Sequence, residues 1–304
     1  MGILLMILAS IFVAASNLFM RKSIDAGGSS KAFLMIQLSI VFVVAILLNP
    51  VRTGDYAMSS CMMYFGIAGG IILAIMMICL GKALEIGPPG LTSASLSSST
   101  VMPALLMTFL FGSKFGYVYT SFHALASILV VLGLFWAGWG VSGFEKKTRW
   151  GALVAGAFLL HTLFLVMMQW RALFINFPQE NGLFLNFDAD GAKSTWFMPA
   201  VFFAAALIQI LVYFYSGKGK IKSKEITSGI LGGLTNGFGT FLMIQSTEIA
   251  TPLQQAMIFP IFSVGLVLFC NLWGKFLYKE RVNWLANGIC IVGILIGTLN
   301  WSAF

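Results

Sequence analysis

The sequence predicts an all-α integral membrane protein: ten transmembrane helices arranged as two inverted-topology repeats of five helices each. Three observations carry that expectation. Of 304 residues 59% are hydrophobic and 9% charged, with a mean hydropathy of +0.93, whereas a soluble globular chain is about one quarter charged. Apolar runs near the 20 or so residues that a helix needs to cross a bilayer recur along the whole length. A set of uncommon residues also returns, without a gap, 163 positions further on.

In chain order the predicted spans are 2–20, 32–49, 62–84, 91–111, 119–141, 150–172, 195–215, 225–247, 252–273 and 282–301. The first has no basic segment before it and no small-residue cleavage site after it, so it reads as a helix rather than a signal peptide. The third carries Gly66, Gly70 and Ala74 on one stripe, as the eighth carries Gly229, Gly233 and Gly237, a pattern that lets backbones approach closely. The fourth opens in the hydroxyl-rich run "GPPGLTSASLSSSTVMPALL". Pro88 and Pro89 suit its start, Ser93, Ser97 and Thr100 share a face, and Pro103 interrupts its ladder. Those hydroxyls can return bonds to freed carbonyls, allow close packing or line a watery path, and the sequence leaves all three open. Between the sixth and seventh spans runs a long, partly apolar link, Phe174 to Ser194, where an interfacial or re-entrant element is expected. Its Asp-Ala-Asp is too sparse for a calcium loop. The spans leave no room for a soluble domain.

The net charge of +8 points to nucleic acid only until the charges are located. Sorted by link, 14 of the 18 Lys and Arg fall on one side, leaving Arg52, Lys114, Arg171 and Lys193 for the other. By the positive-inside rule the basic links are cytoplasmic and both termini extracytoplasmic, in a cell inner membrane, with lipid as a partner and no nucleic acid. Cys61, Cys79, Cys270 and Cys290 lack metal-ligand spacing, so neither a metal nor another cofactor is expected.

The internal repeat sets the domain organisation. Gly66, Ile67, Gly69, Gly70, Glu85, Ile86 and Pro89 meet Gly229, Ile230, Gly232, Gly233, Glu248, Ile249 and Pro252. Farther on, Leu125, Ala126 and Gly133 match Leu285, Ala286 and Gly293. Residues 1–148 and 149–304 are therefore expected to be two copies of one five-helix unit. An odd number of spans forces the second copy into the membrane in the opposite sense, a plan that recurs in secondary transporters.

The strings "GILGGLTNGFGTFLMIQSTEIATPLQQAMIFPIFSVGLVLF" and "KFLYKERVNW" resemble the second repeat of the drug/metabolite transporter superfamily, nearest to its ten-helix sugar-uptake and EamA-like permeases. The matching features are the Gly-rich eighth span with Asn236, the Phe259-Pro260 pair in the ninth, and the Lys279 to Arg281 link before the tenth. The resemblance implies a secondary transporter of full-chain length. Two features depart from the family pattern. Ser113 stands where Glu is usual, and the basic residues load the links opposite to those in many members.

Polar groups inside a bilayer are costly enough to face a cavity or another helix. In the first span Ser10, Asn17 and Arg21 form a polar stripe. Asn236 and Thr240 lie one turn apart in the eighth span, and Gln255, Phe259 and Ser263 align in the ninth. His161, with an ordinary pKa of about 6.5, and Gln169 lie in the sixth. Asn17, Lys82, Ser97, Thr100, His161, Gln169, Asn236, Thr240, Gln255 and Phe259 are thus the candidate substrate-binding residues; for Asn236 and Gln255 bonding across helices, and for His161 a satisfied interior position, is the alternative. Lys82 either pairs locally with Glu85 or meets an anionic substrate. Arg171 is expected to snorkel to head groups. Glu85 and Glu248, related by the repeat, are candidate gates, and His161 a candidate carrier of a coupling proton.

The function expected is a secondary active transporter moving a small polar metabolite (a sugar, nucleoside, amino acid or other metabolite) through a central site between the repeats. A non-transporting receptor or assembly partner is the alternative. A lipid-modifying enzyme is disfavoured, because two histidines on separate helices and no paired carboxylates make no catalytic cluster.

Overall fold

The computed structural model describes residues 1–86, 89–111, 119–138, 147–176, 191, 193–216, 221–279 and 282–298, and among these the secondary structure is all helical. The helices are α1 (Gly2–Asp25), α2 (Ser30–Ile46), α3 (Ser60–Ile86), α4 (Pro89–Ser98), α5 (Met102–Phe111), α6 (Ser121–Gly138), α7 (Lys147–Asn176), α8 (Phe197–Tyr215), α9 (Ser223–Ile249), α10 (Pro252–Gln255), α11 (Ile258–Tyr278) and α12 (Trp284–Thr298). Six are long and apolar enough to cross a membrane: α1, α2 with its continuation to Val51, α3, α7, α8 and α11. The 27 residues of α9 fall outside that set because Gly, Ser and Thr dilute its apolar character. Most of the Phe174–Ser194 link, Ser113, Glu280 and Arg281 lie outside the described residues.

Two expected spans are not single helices. The span 91–111 is α4, a 3-10 turn over Ser99–Val101, and α5. The span 252–273 is α10, a break at Ala256–Met257, and α11. The cause is the same in both. A proline lacks the N–H that would bond four residues back, and its ring crowds that carbonyl; four residues before Pro103 is Ser99, and four before Pro260 is Ala256. Pro50 similarly sits in a wide π turn, Leu47–Val51, that ends α2. The two interrupted helices meet, with Ser263 Oγ donating to the Ser97 carbonyl at 3.2 Å.

Contacts set the helix directions. Gly2 abuts Ala250, Gly239 abuts the Ala9 carbonyl and Ser16 Oγ donates to the Gly232 carbonyl at 2.8 Å, so α1 is antiparallel to α9. Ile36, Ile40 and Val44 face Gly229, Gly233 and Gly237, so α2 is parallel to α9. Lys31 Nζ donates to Ser216 Oγ at 3.1 Å while Asn49 meets Met198, so α2 is antiparallel to α8. Ala200 and Ala204 face Gly66 and Gly70, so α8 is parallel to α3. It follows that α3 and α9 run in opposite directions.

Glycine makes these seams possible. A Cβ on Gly70 would press on the Val201 carbonyl, and one on Gly233 would lie 2.8 Å from the Gln37 carbonyl. Between α6 and α12, which are antiparallel, a Cβ on Gly133 would lie 2.9 Å from the Ala286 carbonyl and one on Gly293 3.0 Å from that of Ala126. Main chain cannot rotate away as a side-chain tip can, so a larger residue must push the helices apart.

The α1–α2 turn is fastened to the start of α9. Buried Glu225 accepts from the Ser29 amide at 2.6 Å and the Lys222 amide at 2.7 Å, and Lys222 Nζ donates to the Gly27 carbonyl at 2.6 Å.

Candidate functional site

At the C-terminal end of α7 lies a buried polar cluster. Arg171 Nη1 donates to Glu248 Oε1 in an ion pair whose side chains are 7% and 18% exposed. Gln245 Nε2 donates to the other carboxylate oxygen at 3.2 Å, and the guanidinium stacks over Phe197 of α8, 4.7 Å from the ring centre. Gln169 Nε2 donates to the Gln255 carbonyl at 2.9 Å. Gln255 Nε2 in turn reaches the Thr247 carbonyl at 2.8 Å, satisfying an orphan acceptor at the end of α9. One cluster therefore ties α7, α8, α9 and α10 together at one end of the molecule. Arg171 does not snorkel, as the sequence led us to expect; a carboxylate and an aromatic face draw its guanidinium inward.

A second group lies mid-chain on α7, beside the break in the serine tract. Ser99 Oγ and His161 Nδ1 are 2.6 Å apart, and Ser99 Oγ donates to the Leu96 carbonyl at 2.6 Å. Within the tract, Ser97 and Thr100 are buried. The Thr100 hydroxyl donates to the Ser97 carbonyl at 2.7 Å, which is the backbone-returning role among the three that the sequence leaves open. His161 keeps part of its surface accessible although Ala157, Phe164, Leu165 and Met168, a turn or two away, are buried.

The other predicted residues are spread. Asn236 is partly accessible, while Thr240 and Phe259 are buried. Phe259 belongs to the main apolar core. Gln255 sits in α10 and Phe259 in α11, so the expected alignment along one continuous helix is broken between them. Asn17 is exposed, with Nδ2 4.0 Å from Cys270 Sγ; one turn on, Arg21 stacks 4.0 Å from the Tyr278 ring centre. Lys82 is exposed on α3, and the Glu85 side chain lies outside the described residues. The structure thus joins Gln169 to Gln255 and leaves Asn17, Lys82 and Asn236 outside that cluster. Ser99 and Gln245 were not singled out from sequence. Ser99 was findable as the residue four before Pro103; Gln245 matters only through Glu248, one turn later on the same face.

No family model matches the sequence, nor does any curated protein. Among solved structures 28 chains match. One of them, described only as a crystal structure of a protein, superposes with a TM-score of 0.68 over 98% of this chain and 94% of its own, at 15% identity. At that identity the likeness is one of fold alone. The architecture is thus an all-helical fold shared with that distant solved chain.

Proposed function

We propose that the chain is a secondary transporter of the drug/metabolite type, with ten spans in two inverted five-helix repeats, which moves a small polar metabolite across a cell inner membrane by alternating access. The observation that carries this reading is the exchange of helix seams. Gly66 and Gly70 pack on Ala200, Val201 and Ala204, as Gly229 and Gly233 pack on Ile36, Gln37 and Ile40. The first partners lie 164 residues beyond the second, close to the 163 that separates the glycines. Gly133 on Ala286 and Gly293 on Ala126 are likewise each other's counterparts. That α3 and α9 run in opposite directions supports an inverted relation between the two units.

The meeting of two interrupted helices supports the same reading, since discontinuous spans build the substrate sites of such transporters. In this scheme the Arg171–Glu248 cluster is a closed gate on the extracytoplasmic face, and the opposite end, with exposed Lys82, opens between the basic cytoplasmic links. Asn17 and Asn236 suit a neutral sugar or nucleoside, and Lys82 an anion.

Uptake of radiolabelled sugars, nucleosides and amino acids into proteoliposomes tests the proposal. Saturable flux of at least one class, accelerated by the same compound inside, is expected. Binding in a thermal-shift screen without flux of any class would instead favour a receptor. A Lys82→Gln variant separates the cargo classes, since it should abolish flux of an anion and spare that of a neutral compound.

A further inference from the structure

We infer that His161 is a proton-binding site, in which Nδ1 permanently holds its hydrogen against the break in the serine tract and Nε2 takes up and returns the proton. The inference rests on the transporter reading for its purpose but not for its chemistry.

The geometry argues as follows. A serine hydroxyl has one hydrogen, and that of Ser99 is directed to the Leu96 carbonyl at 2.6 Å. The short Ser99 Oγ–His161 Nδ1 contact of 2.6 Å then requires the ring nitrogen to donate. Neutral His161 is then the Nδ1–H tautomer, and its lone pair stands on Nε2. Proton uptake therefore needs no rearrangement at Nδ1. An O–H bond of hydronium breaks, an Nε2–H bond forms, a water molecule departs and the ring becomes imidazolium.

The positive ring strengthens the bond its Nδ1–H already makes, because charge-assisted hydrogen bonds are stronger than neutral ones. Each proton bound thus tightens α7 against the Ser99–Val101 turn, and each proton lost loosens it. The surroundings bring little competition. Near His161, α4, the 3-10 turn and α5 contribute hydroxyls and apolar groups rather than charges. From α3 comes Cys79, whose sulfur would lie 3.8 Å from a Cβ on Gly156, and farther along the same helix the exposed Lys82. The charged groups of α7 itself are Lys147 and Arg149 at one end and Arg171 at the other, the last paired with Glu248 of α9.

The chain has two histidines, so histidine-selective 15N labelling in nanodiscs yields two ring systems, assigned with a His161→Asn variant. The expected spectrum shows His161 as Nδ1–H when neutral, its bare Nε2 resonance collapsing to the protonated position on acidification. Ser99→Ala should lose the tautomer bias. An Nε2–H ring in the wild type, or a ring silent from acid to alkaline pH, overturns the inference. In proteoliposomes, an inward proton gradient should accelerate uptake of any panel compound that flows, and His161→Asn should lose that acceleration. Retained acceleration overturns the coupling role. Absence of all flux defeats the transporter reading instead and leaves the NMR result to decide the proton site.

Discussion

Arg171 keeps a full charge in a place where water scarcely reaches it, so its partner cannot be removed cheaply. Deleting one member of a buried pair strands the other, a loss of about 3 kcal/mol or more, whereas replacing both by apolar groups is often neutral. Glu248→Leu should therefore lower the unfolding temperature in detergent, and the double variant Arg171→Met, Glu248→Leu should recover most of it. A double variant no better than the single would mean that the pair does not act as a unit. The same residues separate stability from gating. The repaired double variant should fold, yet admit a water-soluble thiol reagent to a cysteine placed at Gln169, which is fully buried. Gln255 has a different role, since its amide holds α9 carbonyls. Gln255→Leu leaves those acceptors unmet and should cost about 1–3 kcal/mol, read from the same melts.

At the scale of the helix, each glycine seam permits a paired comparison. Gly70→Ala puts a methyl against the Val201 backbone and should abolish stable expression. Gly81→Ala, on the same helix but with nothing within 4 Å of the new methyl, should be tolerated or stabilise by about 0.5–1 kcal/mol. Fluorescence size-exclusion profiles of the two variants decide the matter; equal profiles would remove close packing as the reason for Gly70. These seams were legible in the sequence because a glycine stripe is a local pattern with a helical period. The helix interruptions were half legible: Pro103 and Pro260 mark them, but whether a span bends or breaks depends on what neighbours supply to the freed carbonyls, and Ser263 comes from 166 residues away. The Arg171–Glu248 pair was not legible. Its members are 77 residues apart, and hydropathy places an arginine near the end of a span without saying whether it turns out to head groups or in to a carboxylate.

For the molecule as a whole, sidedness makes the plainest prediction. Cysteines placed at the exposed positions Asp55 and Lys193 should react with an impermeant thiol reagent on intact cells, and those at Lys147 and Lys224 only after the membrane is opened. The reverse pattern would invert the topology, and a mixed one would break the repeat. A further consequence follows from the contact between α1 and α9. The helix α1 leaves the ribosome well before its principal partner α9, as the Ser16–Gly232 bond across 216 positions shows. Until then α1 has the nearby α2 for a partner, through the bond from Gln37 to Ser16, but its glycine-lined seam with α9 is missing and the fastening of Gly27, Ser29 and Glu225 cannot close. The halves interlock, so neither is a finished product of synthesis. Residues 1–148 made alone should be degraded, and co-expression with 149–304 should rescue both, because biogenesis of this chain is completed by its second half returning to claim its first.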